Sequence, residues 1–71
     1  MKANKFIVKG LSGTADIPQI KQSIHAHSGI NAVRIDTQAG TVTVDYDEGR
    51  YTEQDIMNFV NSAGLTVTGV K

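Results

Sequence analysis

Apolar and polar positions first alternate and then recur at helical spacing. They alternate through two more segments, recur at helical spacing again, and end on a short alternating run. From Lys5 to Lys9, Phe6 and Val8 fall on one face and Lys5, Ile7 and Lys9 on the other, which predicts a half-buried strand. Gly10 to Ala15 is a loop of small residues. Asp16 stands where a helix N-cap belongs, with Gln19 three residues on to complete a capping box. Pro18 falls in the first turn, where a missing N–H costs little. Ile17, Ile20, Ile24 and His27 then mark one helix face, and Ser28-Gly29 ends it, with Gly29 as a left-handed cap.

Ile30 to Asp36 reads as a second strand with Val33 and Ile35 inward. Gln38-Ala39-Gly40 is a turn with glycine where a positive φ is needed. Thr41 to Tyr46 alternates cleanly, Val42, Val44 and Tyr46 on one face and Thr41, Thr43 and Asp45 on the other, so these two strands form a hairpin. Thr52 caps a second helix, with Asp55 as an acidic partner in the box; Ile56, Phe59, Val60 and Ala63 form its stripe and Gly64 stops it. Leu65 to Val70 is the last strand, with Leu65 and Val67 inward.

This order, β-α-β-β-α-β, defines an α+β class. With right-handed crossovers and both helices on one face it predicts a ferredoxin-like sandwich, a four-stranded antiparallel sheet of order 4-1-3-2. Residues 1–71 are expected to form a single domain. The other sheet face, carrying Ile7, Lys9, Arg34, Asp36, Thr43, Asp45, Thr66 and Thr68, is polar and expected to be solvated.

Composition narrows the chemistry. Seven Lys plus Arg balance seven Asp plus Glu, so no nucleic-acid or anionic-membrane partner is advertised. Cysteine is absent, which excludes disulfides, thiolate metal sites and thiol catalysis. No apolar run approaches the ~20 residues that span a bilayer, and no apolar signal core follows the basic start, so the expected location is cytoplasmic.

Four stretches, Phe6-Ile-Val-Lys-Gly-Leu-Ser, Gly29-Ile-Asn-Ala-Val-Arg-Ile-Asp, Gly40-Thr-Val-Thr-Val-Asp-Tyr-Asp and Asn61-Ser-Ala-Gly, give the chain its character. With them the chain resembles the heavy-metal-associated domain, the fold of small copper chaperones and of the N-terminal modules of copper-transporting ATPases. Members of that family read Gly-Met-x-Cys-x-x-Cys between the first strand and first helix. Here Leu11 replaces the methionine, Gly13 the first cysteine and Asp16 the second. Leu65 stands where bacterial members often have an aromatic residue, and His27 where leucine is usual. Monovalent copper is soft and is held in such a loop by two thiolates; glycine offers no ligand and Asp16 a hard oxygen. Asp16 does keep an anion at a helix N-terminus without a metal.

The remaining candidates each have a plainer reading. His25 and His27 stand two apart, about 200° around a helix, and cannot chelate one ion together. His27 is expected to be half-buried in the last helical turn, with His25 facing solvent. Asp45, Asp47 and Glu48 form an acidic loop that fails the EF-hand spacing, with Ile56 where the bidentate glutamate belongs. Gly10-Leu11-Ser12-Gly13 hints at an anion cradle, but no Gly-Lys-Ser/Thr follows and Asp16 would repel phosphate. Ser12 and Thr14 lack a base in sequence range. RNA-binding modules of this topology need aromatics on the open face, and none is there.

The expectation is a non-enzymatic, degenerate heavy-metal-associated domain without cofactor or nucleic-acid partner. It docks, as a monomer or weak dimer, to a protein partner, one of the same fold among the candidates. The docking loop is Leu11, Ser12, Gly13, Thr14, Ala15 and Asp16, with the neighbouring ends of both helices. A metallochaperone drawing on Asp16, His27 or a second chain for ligands is the first alternative. A small-molecule-sensing regulatory module is the second.

Overall fold

The computed structural model describes residues 1–11 and 16–71. Six elements follow in the expected order: β1 (Lys2–Lys9), α1 (Ile17–His25), β2 (Ile30–Asp36), β3 (Thr41–Tyr46), α2 (Glu53–Ser62) and β4 (Thr66–Val70). They form one antiparallel sheet of order β2-β3-β1-β4, with β1 and β3 central.

Register explains which side chains share a face. Val33 of β2 lies opposite Val44 of β3, and Ile35 opposite Val42, which in turn pairs with Phe6 of β1. This face meets both helices: Phe6, Val42 and Val44 form one core with Ile20 and Ile24 of α1 and Ile56 and Val60 of α2. Tyr46, at the end of β3, is 1% exposed, and its hydroxyl donates to Asn4 Oδ1. The intervening rows, Lys5–Thr43–Arg34 and Ile7–Thr41–Asp36, occupy the opposite face.

Both helix starts carry their predicted N-cap residues, and among the described residues the full box is seen only in α2. Asp16 Oδ1 accepts from the Gln19 backbone N–H at 3.2 Å. In α2 the box is reciprocal: Thr52 Oγ1 accepts from Asp55 N, and Asp55 Oδ2 accepts from Thr52 N. Each such cap satisfies backbone donors that the helix itself leaves open. Gly40 closes the hairpin turn at φ +67°, and Gly64 follows α2 at φ +100°.

The structure departs from the sequence expectation in four places. Strand β1 begins at Lys2, three residues early, because β3 is long enough to pair with Lys2, Ala3 and Asn4. Helix α1 ends at His25, so His27 lies beyond it and is exposed rather than half-buried. Its N–H reaches Ile24 O at 3.4 Å, a tightened turn rather than a continued helix. Gly29 has φ +95° but serves the approach to β2 rather than the helix cap, since Ala26 holds that position. Thr41, expected outward and solvated, is only 2% exposed between its register neighbours Ile7 and Asp36.

Candidate functional site

The loop between β1 and α1 is where the family resemblance places function, and the described residues fix its two ends. At its start, Gly10 has φ +103° and lies against Leu65: a Cβ on Gly10 would stand 3.4 Å from Leu65 Cδ2. Leu11 is half-buried and packs on the core, and Leu65 is 4% exposed. The loop therefore leaves the sheet beside the end of α2. Asn61, near that end, accepts from Val67 N at 3.0 Å and so fastens α2 to β4. At the far end of the loop, Asp16 is exposed and engaged as the N-cap of α1. The expected docking residues Ser12, Gly13, Thr14 and Ala15 lie outside the described residues.

The donor set near this loop does not fit copper. The chain has no cysteine. Asp16 is a hard ligand already accepting a backbone hydrogen bond. His27 cannot join it, because the nine residues of α1 lie between them, about 13 Å along the axis. Among the described residues no cluster of three His, Cys, Asp or Glu side chains could hold a metal ion.

His27 instead belongs to a cluster that periodicity alone did not reveal. Its ring stacks on Phe59 of α2, centroids 3.8 Å apart and planes within 7°. Tyr51 meets the same phenyl ring edge-on at 5.1 Å. The Tyr51 hydroxyl donates to Ser28 O, and Arg50 Nη1 donates to Ser28 Oγ at 2.7 Å. Gly29 makes this possible, since a Cβ there would stand 2.9 Å from Arg50 Cδ and 3.1 Å from Tyr51 Cε2. The signal in the sequence was the pairing of Gly29 with an Arg-Tyr step, which becomes readable only once the two loops are known to touch. His25 lies apart, its Nε2 3.3 Å from Asn31 O.

The acidic loop is turn framework. Asp47 Oδ1 accepts from Gly49 N at 3.0 Å, and its carbonyl oxygen accepts from Arg50 N and Tyr51 N. Asp45 is half-buried and lies 3.8 Å from Arg34 across the hairpin. Burial, then the charges of Glu53 and Glu48, raise the Tyr46 phenol above the ordinary 10.0. No helix is long and apolar enough to cross a membrane among the described residues.

Comparison with solved structures identifies the architecture. A copper binding domain from HMA7, a P-type ATPase, superposes with a TM-score of 0.84 at 16% identity, covering 100% of this chain and 99% of that one. The CopZ metallochaperone matches with a TM-score of 0.83 at 16% identity, covering 94% of this chain and 100% of its own. A putative copper-ion-binding protein from Bacillus anthracis matches with a TM-score of 0.80 at 25% identity over 94% of each chain. No family model and no curated protein sequence matches the chain. The chain thus has the ferredoxin-like, copper-chaperone-like fold of the heavy-metal-associated domains along its whole length, without a cysteine to make their thiolate site.

Proposed function

We propose that this chain is a non-enzymatic docking domain built on the metallochaperone scaffold, using the loop from Leu11 to Asp16 and the adjoining ends of α1 and α2 to meet a protein partner. The observation that carries this reading is the combination of an end-to-end match to copper-handling domains with a cysteine-free sequence. The scaffold is retained while the soft ligands that make it a copper carrier are gone. Asp16 supports the reading in detail: it holds a negative charge at the start of α1 through a backbone hydrogen bond, where a carrier would present a thiolate. Leu11 and Leu65 supply apolar surface at the point where the chain leaves β1. A cytoplasmic location belongs to the same proposal, supported by the metallochaperone among the structural matches.

The direct test titrates the isotope-labelled chain with the apo form of the CopZ metallochaperone as a partner of the same fold and follows amide shifts. Saturable changes confined to residues 11–16, the start of α1 and the end of α2 are expected. Flat titration curves, or changes confined to the open sheet face, reject the docking surface. A parallel competition against a Cu(I) chelator separates this reading from a carrier role: exchangeable, weak association is expected, and a stoichiometric tight copper site in the unaltered chain overturns it.

A further inference from the structure

The open face of the sheet holds a shallow hollow of about 300 Å³ lined by Lys5, Arg34, Ile35, Asp36, Thr41 and Thr43. Its size is at the lower end for small-molecule sites. Register dictates its shape. Lys5, Thr43 and Arg34 lie in one row across β1, β3 and β2, so two long cationic side chains flank one short hydroxyl. Their Cα atoms stand two strand spacings apart, about 10 Å, a gap the two side chains can close from both sides.

The charges in this hollow are unequally committed. Lys5 is exposed and forms no ion pair within 4.0 Å among the described residues. Arg34 has a single contact to Asp45 at 3.8 Å, and its side chain is 76% exposed, so that pairing is weak and replaceable. The acid at the rim is partly engaged: Asp36 Oδ1 accepts from Gln38 N and Ala39 N at 3.0 Å each, fixing the hairpin turn. The hollow therefore offers an ammonium, a guanidinium fork and a hydroxyl as donors, beside a carboxylate with one oxygen bonded to the backbone.

We infer that this hollow binds the oxyanion of a small ligand, a carboxylate or phosphate group, between Lys5 and Arg34 over Thr43. Arg34 meets it with the planar fork that suits two oxygens at once, and Lys5 supplies a point charge opposite. This surface lies on the opposite side of the sheet from both helices and is independent of the docking loop. A nucleic-acid strand does not fit the same arrangement, because no aromatic side chain stands among the lining residues to stack a base.

Amide NMR titrations with inorganic phosphate and, separately, with succinate test this, against sodium chloride at matched ionic strength. Saturable shifts at Lys5, Arg34, Thr41 and Thr43 are expected for at least one of the two anions, and the one that saturates names the ligand class. Lys5→Gln and Arg34→Gln should each weaken binding about tenfold, whereas Lys21→Gln on α1 should leave it unchanged. Both altered residues are exposed, and the dispersion of each variant's spectrum verifies its fold. Shifts that stay linear for both anions, that chloride reproduces, or that persist unchanged in Lys5→Gln and Arg34→Gln overturn the inference.

Discussion

At the scale of single residues, the fold rests on a few positions whose chemistry is tightly constrained. Asp16 is one: truncation to alanine removes the acceptor for Gln19 N but no core contact. Asp16→Ala should lower stability by about 1 kcal/mol with the fold intact, read from denaturant midpoints. Gly29 is another. At φ +95°, with Arg50 and Tyr51 closing over it, Gly29→Ala meets both backbone strain and a steric clash. A loss of about 2 kcal/mol is expected in the same measurement, larger than at the cap, because two neighbours must also move. Tyr46 gives a pH signature. Its phenol is held above the ordinary 10.0, so the folded state keeps that proton more tightly than the unfolded chain does. The associated stability is complete below pH 10.0 and is lost as pH rises through the raised value. Tyr46→Phe should cost about 1 kcal/mol near neutrality through the lost bond to Asn4, and that deficit should shrink in alkaline titrations of stability.

Elements show where sequence patterning suffices and where it stops. Both helix starts, the glycine of the hairpin turn and the inward rows of β2 and β3 follow from caps and period-two alternation, because the determinants lie within a few residues of one another. The early start of β1 and the burial of Thr41 depend on partner strands distant in the chain, so local pattern cannot specify them. The same holds for β4, where the register with β1 shifts between Ile7 and Val8 and Thr68 drops out of the pairing. His27 is the sharpest case. Helical spacing assigns it to the stripe with Ile24, yet α1 stops short and its ring stacks on Phe59 instead. A double-mutant cycle of His27→Ala and Phe59→Ala should give a coupling of about 1 kcal/mol; additive effects would show that the stack contributes nothing beyond burial.

For the whole molecule, the relation between scaffold and chemistry can be tested by restoring what the resemblance says is missing. The double change Gly13→Cys plus Asp16→Cys should create a Cu(I) site, one thiolate from the loop and one at the start of α1, where dipole and amides favour the anion. Affinity should stay below that of a natural carrier, since Leu11 and Leu65 stand in place of the usual methionine and aromatic neighbours. Chelator competition on the reduced, folded double mutant is the measurement, and binding no better than the parent's would count against the loop having the family's geometry. How the fold was readable while the function was not has the same root. A core is written in many apolar positions that corroborate one another, whereas a binding loop depends on a handful of residues whose partners lie in another molecule.

The sheet order has a further consequence, for the time course of synthesis. Strand β1 occupies the interior of the sheet, yet one of its two neighbours is β4, the last strand to be made. On the ribosome, Phe6 and Val8 emerge early and then wait for more than fifty residues of translation before Val67 and Val70 arrive opposite them. Until then β1 has one bare edge beside an apolar row, the kind of surface that recruits stray strands and chaperones. A nascent chain stalled before Thr66 should therefore remain protease-sensitive through β1, and release of the last strand should bring protection to the first.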